Sequence, residues 1–258
     1  MSKRVCAVAV MAKASIAGTV KTRLVPPLTY DEAAQLNTCC LLDVAASILA
    51  AAASEPIQAF AAYTPLGAEA FFAGILPEGF QLLAPKEPTI GRSLVHASLD
   101  LLTAGYGSVC LVNADSPTLP TAILAEAVRC LRQPGDRVVL GPAIDGGYYL
   151  IGLKHFHGRL FEEIDWSTDR VYQQTLARAA EIGLGVAALP TWYDVDDGRT
   201  LAILARELLL GSIADRQGYS AQRTTAFLQE LAAKKDGISR LLDRTPPAHI
   251  SCASSGEN

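Results

Sequence analysis

The chain of 258 residues is half hydrophobic by count, has 19% charged residues and carries a formal net charge of -4. This length suits one large domain or a domain with an appendage, and the composition is that of an ordinary globular protein. The negative balance excludes a global positive field that would attract nucleic acid or an anionic membrane surface. Any phosphate must therefore be bound by local cations.

The first apolar run, residues 5–12, follows two basic residues and could be the core of a signal peptide. It is short, rich in Val and directly followed by a cationic loop, which favours a buried first β-strand. No apolar run approaches the length that a bilayer requires. Five of the six cysteines lie in apolar runs without zinc-binding spacing, which predicts buried thiols in a reducing compartment. We therefore expect a cytoplasmic protein without a membrane span.

Short runs of Val, Leu and Ala alternate with longer segments of helical periodicity. Strands are predicted at residues 4–12, 56–64, 80–84, 108–113, 137–142, 148–153 and 185–189. Helices are predicted at residues 31–53, 66–75, 92–104, 121–132, 169–182 and 199–210, and Thr29 with Glu32 forms a capping box for the first of them. The continuous apolar strands indicate a sheet covered on both faces. The alternation predicts an α/β sandwich with a mostly parallel central sheet.

The pattern changes after residue 210, which divides the chain into three predicted parts. Residues 1–211 form the α/β domain, and residues 212–245 form a helical appendage whose apolar residues recur at helical spacing. This apolar face can pack on the α/β domain, the simpler expectation, or on a second subunit to give a homodimer. Residues 246–258 are expected to be a disordered tail.

A loop with three cations follows the first predicted strand. Lys13, Lys21 and Arg23 lie within eleven residues, and Gly18 allows close approach of the backbone to a ligand. Cations crowded between a buried strand and a capped helix favour phosphate binding over a merely solvated loop. In parallel sheets, ligands lie outside the carboxyl ends of the strands, where this loop begins.

Two further polar clusters follow predicted strands. In LVNADSPTLP, Asp115 is placed to hold a divalent cation against a phosphate, although it could also cap the Ser-Pro turn. In LGPAIDGGYYLIGL, Gly146 and Gly147 can form a tight hairpin with Asp145 at its corner. The same glycines can bring the backbone against a bound ligand, with Asp145 reaching a sugar hydroxyl or an acceptor.

The fourth cluster is LPTWYDVDDGRT, with three carboxylates between a strand and a helix. Asp196 or Asp197 is best placed to cap the helix, which leaves Asp194 as the better metal ligand. Asp115 and Asp194, contributed by separate strands, would give Mg²⁺ or Mn²⁺ protein ligands and leave room for phosphate oxygens. The clusters together predict one site for a nucleotide and a metal ion.

The segments GTVKTRLVPPLT, NADSPTLP, GPAIDGGYYLIGL, DWSTDRV and WYDVDD together resemble a bacterial glycosyltransferase-like family of the nucleotide-diphospho-sugar transferase superfamily. The resemblance covers residues 5–210 and implies a GT-A fold, a Rossmann-like three-layer sandwich. It implies phosphate binding by Lys13, Lys21 and Arg23. It also implies metal binding by Asp115 and Asp194, although Asn113 occupies one position of the DxD pair that related glycosyltransferases carry.

This resemblance implies a metal-dependent glycosyltransferase that takes a nucleotide-sugar donor and a small-molecule acceptor. Asp145 would orient the acceptor or act as its base, a role assigned by position only. The alternative is a nucleotidyltransferase that joins a nucleoside triphosphate to a phosphate or phosphonate and releases pyrophosphate. Asn113 favours a third hypothesis, a non-catalytic nucleotide-binding protein. Trp166 and Trp192 can stack on a base or sugar, but packing is the expected role of each. The segment DWSTDRV, residues 165–171, is expected to begin a helix with Ser167 or Thr168 as its cap.

Overall fold

The computed structural model describes residues 5–84, 89–211, 218–234 and 236–242. Seven strands form one sheet in the order β3-β2-β1-β4-β6-β5-β7, in which β6 alone runs antiparallel to its neighbours. The strands are β1 Cys6–Lys13, β2 Ile57–Thr64, β3 Phe80–Leu83, β4 Ser108–Asn113, β5 Arg137–Pro142, β6 Tyr148–Leu153 and β7 Gly185–Ala188. The predicted α/β sandwich with a mostly parallel sheet is confirmed.

The part of the chain that the structure describes contains eight α-helices. They are α1 Tyr30–Ala52, α2 Glu69–Ile75, α3 Ile90–Thr103, α4 Thr121–Arg132, α5 Val171–Glu181, α6 Gly198–Leu210, α7 Gln222–Ala232 and α8 Gly237–Leu242. Short 3-10 helices lie at Thr22–Leu24 and Gly158–Phe161. Each of the six helices predicted before residue 211 is present, with ends that differ by at most a few residues.

The alternation of side chains along β1 explains why both faces of the sheet carry helices. Val8 and Val10 pack in a core with residues of α1, α4 and α6, whereas Ala7 and Ala9 pack in a second core with residues of α3 and α5. Because successive side chains of a strand point to opposite faces, a strand that is apolar at every position must be covered twice. The continuous run in the sequence therefore determines the three layers.

Helix α1 begins as predicted and passes through the first core. The Thr29 side chain accepts a hydrogen bond from the Glu32 backbone N–H, and the Glu32 carboxylate accepts one from the Thr29 N–H. By length and composition this 23-residue helix could cross a membrane, contrary to the expectation from the sequence. Of the most apolar 18 residues of this helix, 61% is buried inside the protein, as in the core helix of a globular domain.

The described part of the predicted appendage packs on the α/β domain. Helix α7 contacts α1 and α6, and α8 contacts α6 and α7. Most of their apolar face is covered within the chain, since Phe227, Leu228, Leu231 and Leu241 are buried, whereas Ile238 is 47% exposed. Glu32 of α1 forms salt bridges with Lys234, at 3.1 Å, and Arg240, at 2.5 Å. A homodimer contact through these helices stays a prediction, and the predicted joint at 212–217 and tail at 246–258 lie outside the described residues.

Asp43→Ala is expected to destabilise the protein through α7. The buried Asp43 carboxylate accepts hydrogen bonds from the backbone N–H groups of Arg223, at 3.1 Å, and Thr224, at 2.8 Å, and so caps this helix from α1. Loss of a helix cap costs about 1–2 kcal/mol, or roughly 2–8 °C in melting temperature for a chain of this size. Thermal melts check this result. The exposed Glu230→Ala on α7 is the control, and equal melts for the two variants would contradict the prediction.

Candidate nucleotide and metal site

Four loops meet at the edge of the sheet where β1, β4 and β5 end. They contribute Arg23, Asp115, Asp145, Asp194 and Asp196 to one cleft of about 560 Å³. The carboxyl ends of parallel strands share one edge of a sheet, so polar residues that are distant in sequence converge there. The four clusters predicted from the sequence therefore lie together in space.

Lys21 joins three of these loops. Its ammonium donates hydrogen bonds to Asp115 Oδ1, at 2.5 Å, and to the Val195 carbonyl, at 2.7 Å. The side chain is only 3% exposed. Burial alone would lower the pKa of Lys21, but the attraction of Asp115, assisted by Cys40 and Asp196, outweighs it and raises the pKa above its ordinary value. Lys21 is thus a permanently charged internal tether, with its ammonium already bound to protein oxygens.

Three carboxylates form a cluster opposite this tether. One ligand oxygen each from Asp145, Asp194 and Asp196 lies within 4.8 Å of the other two. We call these three residues the carboxylate triad. Magnesium binds carboxylate oxygens at about 2.1 Å, so that opposite ligands of one ion stand about 4.2 Å apart. The observed spacing fits a single Mg²⁺ or Mn²⁺ after small side-chain adjustments.

The electrostatics of the triad also fit a cation. Burial, and then the charges of Asp196, Asp145 and Asp115, raise the pKa of Asp194 to about 7. Burial and Asp115 raise the pKa of Asp196 to about 6, while Lys21 and Arg23 act in the opposite direction. Carboxylates with raised pKa values repel one another when ionised, and a bound divalent ion removes that repulsion.

The predicted metal ligands Asp115 and Asp194 lie in the same cleft but in different groupings. Asp194 belongs to the triad, whereas Asp115 pairs with Lys21 and acts on the triad through its charge. Direct coordination by Asp115 stays a prediction. Asp145, predicted as the catalytic residue, is in the triad. The sequence indicates Asp196 only as a possible helix cap. Its spacing of two residues from Asp194 along an extended segment places both side chains on one side, which is a signal that it belongs to the same site.

The helix cap itself is Asp197, one of the two candidates from the sequence. Its Oδ1 accepts hydrogen bonds from the backbone N–H groups of Arg199, at 2.9 Å, and Thr200, at 2.8 Å. Because Asp197 satisfies the first turn of α6, Asp196 is not needed there.

The cationic loop lies beside the triad. Lys13, Lys21 and Arg23 line a shallow depression of about 260 Å³ together with Asp115 and Asp196. Lys13 donates a hydrogen bond to the Thr19 carbonyl, at 2.8 Å, across a turn in which Gly18 has a φ of +78°. Arg23 is exposed and lines both the depression and the main cleft. An anion in the depression would therefore lie near the carboxylates that could share a metal with it.

Gly146 and Gly147 lie in the hairpin between β5 and β6. This agrees with the first of the two roles predicted for them, the formation of a tight hairpin. Gly146 has a φ of +91°, and a Cβ there would lie 2.1 Å from the Asp169 carbonyl oxygen. The backbone N–H of Gly147 donates to Asp145 Oδ1 at 2.8 Å. The glycines thus orient Asp145 and allow the hairpin to pack against the chain before α5. Their predicted contact with a ligand stays a prediction.

The cleft also has an apolar half. Met11, Ile90, Leu94, Leu111 and Trp166 contribute apolar side chains to its lining. The ring of Trp166 packs against Gly91, where a Cβ would lie 2.3 Å from the indole nitrogen.

The other tryptophan, Trp192, is buried, and its indole N–H donates to the Thr118 hydroxyl, at 3.3 Å. The expected packing role therefore describes Trp192, whereas Trp166 is both packed and accessible from the cleft.

The segment 165–171 does not begin a helix in the way its sequence predicts. A cap by Ser167 or Thr168 was expected, but α5 begins only at Val171 and has no side-chain cap. The Thr168 hydroxyl instead donates to the Asp165 carbonyl, at 2.7 Å, and Ser167 has a φ of +65°. Residues before α5 therefore form a tight loop at the cleft, and the predicted cap is wrong.

Asp194 is expected to make the metal-free protein less stable as the pH rises. Its pKa is about 7 when folded against a model value of 3.8, so the folded state binds more protons. The stabilisation from this group is complete below pH 3.8 and is lost as the pH rises through about 7.

Melts with a chelator at pH 5 and pH 8, for the wild type and for Asp194→Asn, isolate this contribution. The wild type should lose stability relative to the variant at pH 8, and Mg²⁺ should restore it there more than at pH 5. A difference between the two proteins that is independent of pH would contradict the assignment.

Comparison with protein-family models finds one described as "Uncharacterized protein conserved in bacteria (DUF2064)", which matches residues 47–168. This stretch includes Asp115 and Asp145 and ends before Asp194. A search of curated proteins finds no match.

Several solved structures share the fold. A cytidylyltransferase from Leptospira borgpetersenii serovar Hardjo-bovis is 9% identical, with a TM-score of 0.50 over 94% of this chain and 99% of that one. A CMP:2-keto-3-deoxy-manno-octonic acid synthetase complexed with CTP is 10% identical, with a TM-score of 0.52 over 81% of this chain and 99% of that one. At such identities the likeness shows the fold alone.

A crystal structure from Desulfovibrio desulfuricans G20, assigned as a nucleotide-diphospho-sugar transferase, is similar in sequence as well. It is 30% identical to this chain, covers 90% of this chain and 96% of its own, and superposes with a TM-score of 0.76. Similarity of sequence and structure at this level, over nearly the full length of both chains, shows that the two proteins belong to one family. The chain therefore belongs to the nucleotide-diphospho-sugar transferase family, with the GT-A fold that its five sequence motifs indicated.

Proposed function

We propose that this protein is a metal-dependent glycosyltransferase that uses a nucleotide-diphospho-sugar as its donor. The observation that carries the proposal is that Arg23 of the cationic loop lines one cleft with the carboxylate triad, while Lys13 and Lys21 line the adjoining depression. A site that pairs a divalent cation with basic side chains suits a substrate with two adjacent phosphates.

The triad residues Asp145, Asp194 and Asp196 would hold the metal ion, with Asp115 as a further candidate. When bound, Mg²⁺ or Mn²⁺ supplies Lewis-acid stabilisation of the departing nucleoside diphosphate. The chemistry of the donor set supports this fit, because hard oxygen ligands suit these cations. Burial of Asp194 also keeps one ligand away from competing water.

The cations have separate tasks in this proposal. Arg23, exposed between the two cavities, binds donor phosphate oxygens, and Lys13 with the Gly18 turn extends the same surface. Lys21 acts on the phosphates only through its charge at a distance, because its ammonium is bound to Asp115 and Val195. Preorganised charges of this kind stabilise the negative charge that develops on a leaving group.

In this proposal, Asp145 lies next to the reacting groups. The Gly147 N–H holds one of its oxygens, and the hairpin presents the carboxylate at the cleft. It can complete the metal site or accept the proton of the acceptor hydroxyl. The cytoplasm is the proposed compartment.

A nucleotidyltransferase is the second candidate, because the end of the cationic loop, RLVPPLT at residues 23–29, is similar to the Arg and Pro-Leu-Thr that end the opening loop of nucleotidyltransferases in this superfamily. The same cations would then stabilise pyrophosphate as it leaves. A protein that binds the nucleotide without turnover is the third candidate.

The test combines binding with product analysis. Melting temperatures are recorded with nucleoside diphosphates, nucleoside triphosphates and nucleotide sugars, with and without Mn²⁺. A ligand that binds only the folded state adds about 2.7 kcal/mol at a hundredfold excess over its Kd.

The proposal expects a shift with a nucleotide sugar that needs the metal, and release of a nucleoside diphosphate on turnover. Release of pyrophosphate would favour the second candidate, and a shift without turnover the third. The absence of any shift would overturn the nucleotide site.

A further inference from the structure

The charges along the cleft are distributed unevenly. Among the described residues that line it, Arg23 is the one Lys or Arg, and it lies at the end with the cationic loop. Asp169 lines the cleft too, in the segment before α5. Its neighbour Arg170 is directed elsewhere, since it forms a salt bridge with Asp165 at 3.1 Å. The end of the cleft near α5 therefore presents a carboxylate without a lining cation.

This end also presents an aromatic ring and hydroxyl groups. Trp166, Ser167, Thr168 and Asp169 line it in succession, and we call residues 166–169 the aromatic loop. An indole face takes up the C–H face of a saturated ring, and a carboxylate accepts hydrogen bonds from hydroxyl groups. Ionic repulsion from Asp169 opposes an anionic ligand in the same place.

The aromatic loop is held firmly and lies next to the triad. Trp166 packs against Gly91 of α3 so closely that a Cβ there would meet the indole at 2.3 Å. The backbone of Asp169 packs on Gly146, which directly follows the triad residue Asp145. Ser167 has a φ of +65°, a conformation that costs energy for a residue other than glycine and is found preferentially at binding sites.

We propose that the aromatic loop binds the acceptor, and that the bound part of the acceptor is an uncharged ring that carries hydroxyl groups. Trp166 would stack on this ring, and Asp169 would accept hydrogen bonds from its hydroxyls. This assignment rests on the proposed glycosyltransferase function and adds the class of the second substrate.

The transfer step replaces one bond at the anomeric carbon of the donor with another. An acceptor hydroxyl oxygen forms a bond to the anomeric carbon of the donor, and the bond from that carbon to the diphosphate oxygen breaks. The nucleoside diphosphate leaves with the electron pair, and the hydroxyl proton passes to a carboxylate of the cleft and then to solvent. No oxidant, reductant or further co-reactant is needed.

Binding is tested first, through the fluorescence of Trp166. A Trp192→Phe variant leaves Trp166 as the one tryptophan of the chain. Methyl glucoside, methyl mannoside and methyl galactoside are titrated in the presence of Mn²⁺ and nucleoside diphosphate. Glucose 6-phosphate and glucuronate are the anionic counterparts. We expect at least one neutral glycoside to change the emission saturably and both anions to bind at least about tenfold more weakly.

Kinetics then separate the two substrates. Trp166→Ala and Asp169→Asn are expected to raise the KM for the active glycoside about tenfold and to leave the KM for the nucleotide sugar within twofold. Trp166→Phe should recover most of the loss, which a folding defect would not predict. Gln173→Ala, an exposed residue of α5 outside the cleft lining, is the matched control and should change neither KM.

The outcomes are distinguishable from those for the proposed function. If nucleotide and Mn²⁺ still raise the melting temperature but anionic sugars bind as well as neutral ones, the acceptor assignment is wrong and the transferase proposal stands. An increase in the KM of the nucleotide sugar alone would place the donor on Trp166 and overturn the assignment. If nucleotide and Mn²⁺ do not raise the melting temperature of the wild-type protein, the proposed function itself is refuted.

Discussion

Asp194→Asn is expected to abolish metal-dependent binding of the nucleotide and to reduce turnover by at least about a hundredfold, since Lewis-acid stabilisation by a metal is worth several kcal/mol. Asp194 is the buried member of the triad, 7% exposed, and burial together with three neighbouring carboxylates raises its pKa to about 7. The amide has the same shape but cannot supply the charge that a divalent cation needs. The metal-free variant should be at least as stable as the wild type above pH 7, because a source of repulsion is gone.

Isothermal titration with Mn²⁺ and nucleotide, followed by turnover assays, measures this effect. Asp197→Asn is the matched control, since Asn also caps helices and Asp197 lies three residues away, outside the triad. The control should retain affinity and turnover. Metal binding by Asp194→Asn within threefold of the wild type would contradict the triad as the metal site.

Asp115→Asn is expected to produce the largest loss of stability among single substitutions at the site. The Lys21 ammonium is 3% exposed and lies 2.5 Å from Asp115 Oδ1, so removal of the carboxylate charge leaves a buried cation without its counter-ion. Breaking a buried ion pair in this way costs about 3–5 kcal/mol. In a chain of this size, that corresponds to roughly 6–20 °C in melting temperature.

The measurement is a thermal melt with a chelator, so that metal binding plays no part. Lys21→Met should cost less, because the remaining carboxylate is 34% exposed and can be hydrated. The double variant should be more stable than Asp115→Asn alone, which a double-mutant cycle quantifies. A melting temperature for Asp115→Asn within 2 °C of the wild type would show that the pair carries little energy.

Secondary structure was predictable wherever one local signal dominated. The runs at 108–113, 137–142 and 148–153 coincide with β4, β5 and β6, because continuous apolar stretches between turn residues suit buried strands. Helix starts at Thr29 and Asp197 followed from side chains that bond the first turn. The start of α5 was predicted wrongly because the Thr168 hydroxyl bonds to the Asp165 carbonyl in a loop. The same sequence is compatible with this loop and with a helix cap.

The site was predictable as a region but not as a set of contacts. Asp115, Asp145 and Asp194 were identified because each follows a strand whose end must lie at one edge of the sheet. Their grouping depends on distances of a few ångströms across loops of irregular structure. That is why Asp145 and Asp196 were not predicted as metal ligands together with Asp194, and why Lys21 was expected to be available to phosphate.

The sequence by itself determined the layers of the fold, the edge at which the functional loops meet and the kinds of charge that meet there. These properties depend on local periodicity and composition, which act between residues close along the chain. Only the tertiary structure decided that Lys21 pairs with Asp115, that Asp145, Asp194 and Asp196 form one triad, and that Trp166 lines the cleft whereas Trp192 is buried. Such choices are decided by packing and electrostatics between segments that the chain brings together only on folding.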